Sequence, residues 1–321
     1  MFAALIIATA IVGSAVRSIA VGDNDLHVPP PLHIAEHVSR RNATAPSWLS
    51  PAAQGKTVFF VSNDVQNAVE IFDAQDRTEP GPIGAITTGM SVPVGVAVAR
   101  DGKLYVANSG ANTITEYARG QLTPSETLSK GLQYPNFIAL SQSGYLAVAN
   151  LSAAPYVVEF APHERRPSRT LTCSKLPLGL AYDTAGNLYI ADGYGASGSG
   201  PSRILRVAPG SQNCVDLGLS GLAIIQGLAI DTAGNIWVGD VYNNFVAIYP
   251  AGSTQPASYM WEFLTPVSLA FDVPQRHLYV ADNYTQLVLK LPYGSNASFI
   301  SWFDYVQQPL GVAPSRGPWI S

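Results

Sequence analysis

Leu188-Tyr-Ile-Ala-Asp192 closes the stretch Leu178-Gly-Leu-Ala-Tyr-Asp-Thr-Ala-Gly-Asn-Leu-Tyr-Ile-Ala-Asp192, and this stretch decides the fold. Its second half recurs as Phe59-Phe-Val-Ser-Asn63, Leu104-Tyr-Val-Ala-Asn108, Leu146-Ala-Val-Ala-Asn150, Ile236-Trp-Val-Gly-Asp240 and Leu278-Tyr-Val-Ala-Asp282. The six starts are 45, 42, 42, 48 and 42 residues apart, a period that belongs to stacked units rather than to one irregular domain. Each copy is a short apolar strand ending in Asn or Asp.

Working outward, residues 225–262 show what one unit contains. Gln226-Gly-Leu-Ala-Ile230 is a strand and Asp231-Thr-Ala-Gly-Asn235 a turn whose Gly234 suits positive φ. Ile236 to Gly239, Phe245 to Tyr249 and Ser258 to Phe263 supply three more strands, with turn residues at each reversal. Helical periodicity is absent from the array. Gly95, Gly179 and Gly227 stand in first strands, which fits an innermost position where sheets converge on an axis. The first unit, Thr57 to Ser62, starts at its second strand, and an unmatched first strand, Pro309-Leu-Gly-Val-Ala313, follows the last unit. The expected architecture is all-β: a six-bladed β-propeller of four-stranded antiparallel blades, closed when the C-terminal strand pairs into the first blade.

The phrase at residues 177–192 resembles the NHL repeat, and residues 57–313 as a whole resemble bacterial exported NHL-type six-bladed propellers. The resemblance implies a fold more than an activity, since such propellers include lactonases, an amidating lyase, strictosidine-synthase-like proteins and many binding modules. Gluconolactonase-like members carry metal-binding Glu, Asn and Asp around the channel. Here the residues before the first-strand Gly or its equivalent are Val94, Asn136, Leu178, Gln226, Val267 and Leu310, none of them charged. Members that use channel histidines find no counterpart either, because His163 and His277 fall in connections at the opposite face. A Gly-x-Ser-x-Gly elbow does not occur.

The flanking segments read differently. Phe2 to Val16 is nearly unbroken apolar sequence followed by Arg17, Ser18 and Ala20, so residues 1–20 are expected to be a signal peptide or weak anchor. Residues 21–56, with Pro29-Pro30-Pro31 and Arg40-Arg41, are expected to be a linker or arm, and 314–321 a tail. His27, His33 and His37 lie in that arm without the Cys or carboxylate pattern of a metal site. Hydrophobic residues are 47% of the chain and charged residues 12%, which describes a core-rich chain and excludes a disordered one. The formal charge of −4 and the absence of a Lys/Arg run argue against nucleic acid as a partner. The densest basic patch, Arg165, Arg166 and Arg169, reads as a solvated loop, and membrane contact is expected only through an uncleaved N-terminus. Cys173 and Cys214 fall at similar places in adjacent repeats, too far apart for a bridge on that reading, so two buried free thiols are expected.

Candidate site residues lie where connections before first strands and after second strands share one face. Asn108, Asn150, Asp192, Asp240 and Asp282 gather there, where they could hold a polar ligand or Ca²⁺. Against this, an Asp or Asn at a strand end commonly binds backbone N–H groups of its own turn. Three blades extend the pattern as Asp192-Gly-Tyr194, Asp240-Val-Tyr242 and Asp282-Asn-Tyr284, whose rings could wall a pocket or pack between blades. The insertion Gly193 to Ser202 on the same face could be a lid. On a third reading, a purely structural envelope module with an occluded channel, Trp261, Trp302 and Trp319 could be ordinary outer-strand and tail packing. The expected function is that of a monomeric, extracytoplasmic binding module for a protein partner or small polar ligand on this channel face. No catalytic residue is assigned, and the alternative is a metal-assisted hydrolase or lactonase using the same aspartates.

Overall fold

A computed structural model describes residues 45–76, 81–193, 201–294, 301–303, 306 and 308–320. The N-terminal apolar segment, most of the arm with its three histidines, Tyr194, most of the glycine-rich insertion and the side chain of Trp302 lie outside the described residues.

Six antiparallel sheets form the ring. Their innermost strands are Pro309–Pro318, Pro93–Val98, Pro135–Leu140, Pro177–Tyr182, Ile225–Ile230 and Pro266–Phe271 for blades 1 to 6. The repeated phrase forms the second strand of every blade, from Thr57–Asn63 in blade 1 to His277–Asp282 in blade 6. Such strands lack an apolar/polar alternation because blades stack face to face and bury both sides; Leu188–Asp192 and Ile236–Asp240 are buried at every position. The ring closes as the unmatched strand implied: Phe60 pairs with Ala313, Val61 with Val312 and Ser62 with Gly311. The seam is aromatic, with Phe59 stacked on Phe72 at 5.1 Å and edge-on to Phe303 at 4.6 Å. Each of these fully buried rings contributes on the order of 1.5–3 kcal/mol through removal from water.

Two close approaches explain the first-strand glycines. A Cβ on Gly227 would stand 2.9 Å from the carbonyl oxygen of Pro266 in the next blade, and one on Gly95 would stand 2.9 Å from the amide nitrogen of Ile138. Neighbouring innermost strands approach so closely that only hydrogen fits between them. The pairing of the innermost with the second strand also slips register near its start in all six blades, beside the Asn or Asp that ends the second strand. This is a repeated β-bulge, set where the chain enters each blade.

The end of the arm, from residue 45, lies on the domain: Trp48–Leu49 adds a fifth strand to the outer edge of blade 1 by pairing with Gly84–Ile86. That covers an edge which would otherwise be open. The C-terminal tail is structural too, since the closing strand runs on to Pro318 and Trp319 is buried edge-on against Phe60 at 5.0 Å. Cys173 and Cys214 are joined in a disulfide with a Cα separation of 6.3 Å. The free-thiol expectation placed both residues on equivalent outer strands. In fact Cys173 lies past the outer strand Arg169–Leu171, in the connection leading to blade 4, while Cys214 begins the outer strand of blade 4.

Candidate functional site

The Asn and Asp that end the second strands are fully buried, and every one is engaged in hydrogen bonds. Asn108 Oδ1 accepts from Ser91 N at 3.0 Å while its amide donates to Thr115 Oγ1. Asn150 Oδ1 accepts from Gln133 N at 2.8 Å. Asp192 Oδ1 accepts from Ser174 Oγ, Lys175 N and Leu176 N, and its Oδ2 takes two nitrogens of Arg203 at 3.0 and 2.9 Å. Asp240 accepts from Ala223 N, Ile224 N, Tyr242 N, Asn243 N and Asn243 Nδ2. Asp282 accepts from Leu264 N, Thr265 N, Thr265 Oγ1 and Thr285 N. In each case one side chain ties the connection entering the blade to the bulged second strand. The three carboxylates have spent their acceptor sites on the fold, which is what a buried charge requires. All five side chains thus take part in the hydrogen bonding of their own blades.

Asn turns to Asp between blades 3 and 4 for a local reason. In blade 2 the side-chain amide donates to the Val106 carbonyl, which a carboxylate cannot do, and to Thr115 Oγ1. In blades 4 to 6 both oxygens face donors.

The tyrosines behave differently. Tyr242 and Tyr284 are 60% and 49% exposed, so their rings stand out from the face instead of packing between blades. Between them, in the connection from blade 5 to blade 6, Trp261 is 58% and Leu264 42% exposed. One side of the Trp261 ring packs on the blade, edge-on against Phe245 at 5.1 Å and tilted against Tyr259 of the outer strand at 5.5 Å. The sequence signal was its place in a connection on the same face as the Asp-x-Tyr turns. Asp64, one residue past Asn63, was also missed: its Oδ1 is buried with no hydrogen-bond partner among the described residues, and burial raises its pKa.

The channel opens on the other face. A cavity of about 520 Å³ runs along the innermost strands, and the connections that line it are those leaving these strands, including Gln142, Asp183, Asp231 and Asp272; Arg316, on the closing strand, lines it too. The turns bearing Tyr242 and Tyr284 take no part. Asp183 and Asp231 hold their own turns, accepting from Asn187 Nδ2 at 2.7 Å and Asn235 Nδ2 at 2.8 Å. Asp231 also accepts from Trp237 Nε1 and the Tyr293 hydroxyl. Asp272 lies 2.6 Å from His277 Nδ1. Desolvation and the like charge of Arg100 lower the pKa of Arg316.

Deeper in the wall, Tyr182 donates to Glu159 Oε1 at 2.6 Å, and Arg169 pairs with Glu159 through two nitrogens. Arg169 is buried, so the basic patch read as a solvated loop dissolves: only Arg165 and Arg166 are exposed. Burial and the Glu159 carboxylate raise the Tyr182 pKa far above the ordinary phenol value. Among the described residues no three His, Cys, Asp or Glu side chains converge as a metal-binding group, and no helix is long and apolar enough to cross a membrane.

No protein-family model matches the chain, and no curated protein matches it in sequence. Solved structures do. A chain of the nidogen/laminin complex superposes with a TM-score of 0.65 at 18% identity, over 81% of this chain and 98% of that one. A chain of Kuenenia stuttgartiensis hydrazine synthase superposes with a TM-score of 0.58 at 15% identity, over 78% of this chain and 83% of that one. At such identities the likeness shows the fold alone.

Proposed function

We propose that this chain is an exported, NHL-like propeller that binds a protein partner through the sector of the Asn/Asp face formed by Tyr242, Trp261, Leu264 and Tyr284. The observation that carries the reading is the exposure of four large side chains within one blade-to-blade sector of a rigid scaffold. Tyr and Trp supply large contact area at low entropic cost and are enriched where protein interfaces carry their energy. The nidogen/laminin likeness supports the choice of a protein partner, as a precedent for this fold in a complex. The Cys173–Cys214 bridge supports an oxidising, extracytoplasmic compartment.

The test is cross-linking of the exported protein in its native extracytoplasmic fraction, wild type against Tyr242→Ser/Trp261→Ser. Both side chains are exposed, so the variant keeps its fold, checked by an unchanged melting temperature. Loss of a specific cross-linked species in the variant is expected. An unchanged cross-linking pattern overturns the assignment of this face.

A further inference from the structure

The arm ahead of Ala45 carries one apolar, proline-rich stretch, Leu26-His-Val-Pro-Pro-Pro-Leu-His-Ile34. Val28, Pro29 and Pro30 each precede a proline, which disfavours helix, and the three rings fix φ. Such a sequence favours the polyproline II conformation, whose side chains all face outward. Leu26, Val28, Leu32 and Ile34 add apolar surface, while Asp23 and Asp25 precede the stretch and Glu36, Arg40 and Arg41 follow it. Segments of this kind dock on surfaces lined by aromatic rings, because little conformational freedom is lost when they bind.

The described chain begins on the face that carries such rings. Thr87 Oγ1 donates to the Ala45 carbonyl at 2.7 Å, and Ser47 Oγ accepts from the N–H groups of Thr87 and Thr88. Thr87 and Thr88 lie in the connection from Gly84–Ile86 to Pro93–Val98, so residue 45 enters on the Asn/Asp face. Blade 1 adjoins blade 6 there, with Phe59 5.1 Å from Tyr279 and Lys290 Nζ donating to the Ala74 carbonyl across the seam. Tyr284 belongs to blade 6, and Trp261 and Leu264 to the connection that enters it. Trp261 is held from one side by Phe245 and Tyr259, and its other side is open among the described residues. Four strands spaced ~4.8 Å apart make a blade about 15 Å deep, so a quarter of the ring's rim spans roughly 30 Å. Residues 33–44, at ~3.3 Å each, reach about 40 Å. The stretch can therefore lie on the sector formed by Tyr242, Trp261, Leu264 and Tyr284.

We infer that residues 26–34 of the chain's own arm occupy this aromatic sector and that a partner must displace them. As a competitor for the partner, the arm rests on the interface reading above. As an intrachain contact it is measured with no partner present, so the two readings fail separately.

The test uses the purified exported chain with Trp261→benzoylphenylalanine, irradiated at low concentration and mapped by mass spectrometry. An intrachain product joining position 261 to a peptide within residues 26–34 is expected. Only interchain products, which would put a second copy on the sector, or no product with the arm, overturns the inference. Hydroxyl-radical footprinting reads the same contact without altering Trp261. Pro29→Ser/Pro30→Ser/Pro31→Ser restores freedom to the unbound arm and should raise Trp261 oxidation about threefold or more. Tyr145, exposed on the opposite face, should be unchanged. Equal Trp261 oxidation in the two proteins overturns the inference.

Discussion

Replacing Asp240 with alanine separates a brace from a ligand site. The carboxylate is wholly buried and accepts from four backbone N–H groups and one side-chain amide, at 2.7 Å for Ala223 N, 3.0 Å for Asn243 N and Asn243 Nδ2, 3.1 Å for Tyr242 N and 3.4 Å for Ile224 N. Truncation strands all of them. The N–H groups of Tyr242 and Asn243 belong to a turn whose residues reach solvent, and water replaces the lost oxygen there. Ala223 and Ile224 are more enclosed, and an unsatisfied donor costs about 1–3 kcal/mol. The longer Ile224 contact is the weaker of the two, so the net loss is roughly 3–4 kcal/mol. For a domain of this size each kcal/mol moves Tm by about 2–4 °C, which predicts a fall of roughly 6–15 °C by calorimetry. Asp240→Asn should fall about half as far, since it keeps the shape and one acceptor but turns an NH₂ group toward a donor. Amide exchange at Ala223 should quicken in both variants as the entering connection loses its tie. A drop below about 2 °C for Asp240→Ala, with exchange unchanged, would falsify the bracing argument and return the carboxylate to the list of ligand groups.

Other parts of the structure yield equally direct expectations. Gly227→Val drives a branched side chain against the Pro266 carbonyl, 2.9 Å from the Cβ position, and Leu269 Cγ at 3.0 Å; backbone cannot swing aside, so a loss of about 3 kcal/mol or more and poor soluble yield are expected in a urea melt. Cys173→Ser/Cys214→Ser opens a crosslink spanning 41 residues, worth about 4 kcal/mol on loop entropy, and should lower Tm by about 8–16 °C; an unchanged Tm, or a wild-type Tm insensitive to reductant, would show that the bridge does not brace the fold. Asp64 has a folded pKa raised above its unfolded value by burial. Its contribution is therefore fully present below the ordinary carboxylate pKa and is lost as pH rises through the raised value. Asp64→Asn should then raise Tm at neutral pH by about 2–4 °C, on the order of 1 kcal/mol, and the gain should vanish in acid; a gain that persists at low pH would contradict the burial argument.

Blade number and ring closure were legible because they depend on repetition: one strand phrase fixes the period, and the unmatched strand at each end fixes how Pro309–Pro318 must pair. What was not legible depends on where a residue departs from its counterparts in the ring. Cys173 looked equivalent to Cys214 by position in the repeat, yet lies in a connection that leans toward the next blade. Arg169 looked like part of a charged loop, and no alternation could correct that, because stacked blades bury both faces of a strand. The Asn and Asp that seemed to mark a site recur in every blade because every blade needs the same brace. The same reasoning identifies where function can be carried. At the turn leaving the innermost strand, blades 4, 5 and 6 keep Asp183, Asp231 and Asp272, blade 3 has Ser141, and blade 1 runs on as Ser315-Arg316 because its innermost strand comes from the other end of the chain. Blade 2 has Ala99 there, so the Asp turn belongs to blades 4 to 6, and in blade 1 strand exchange replaces the turn altogether. That departure is what places Arg316 in the channel wall.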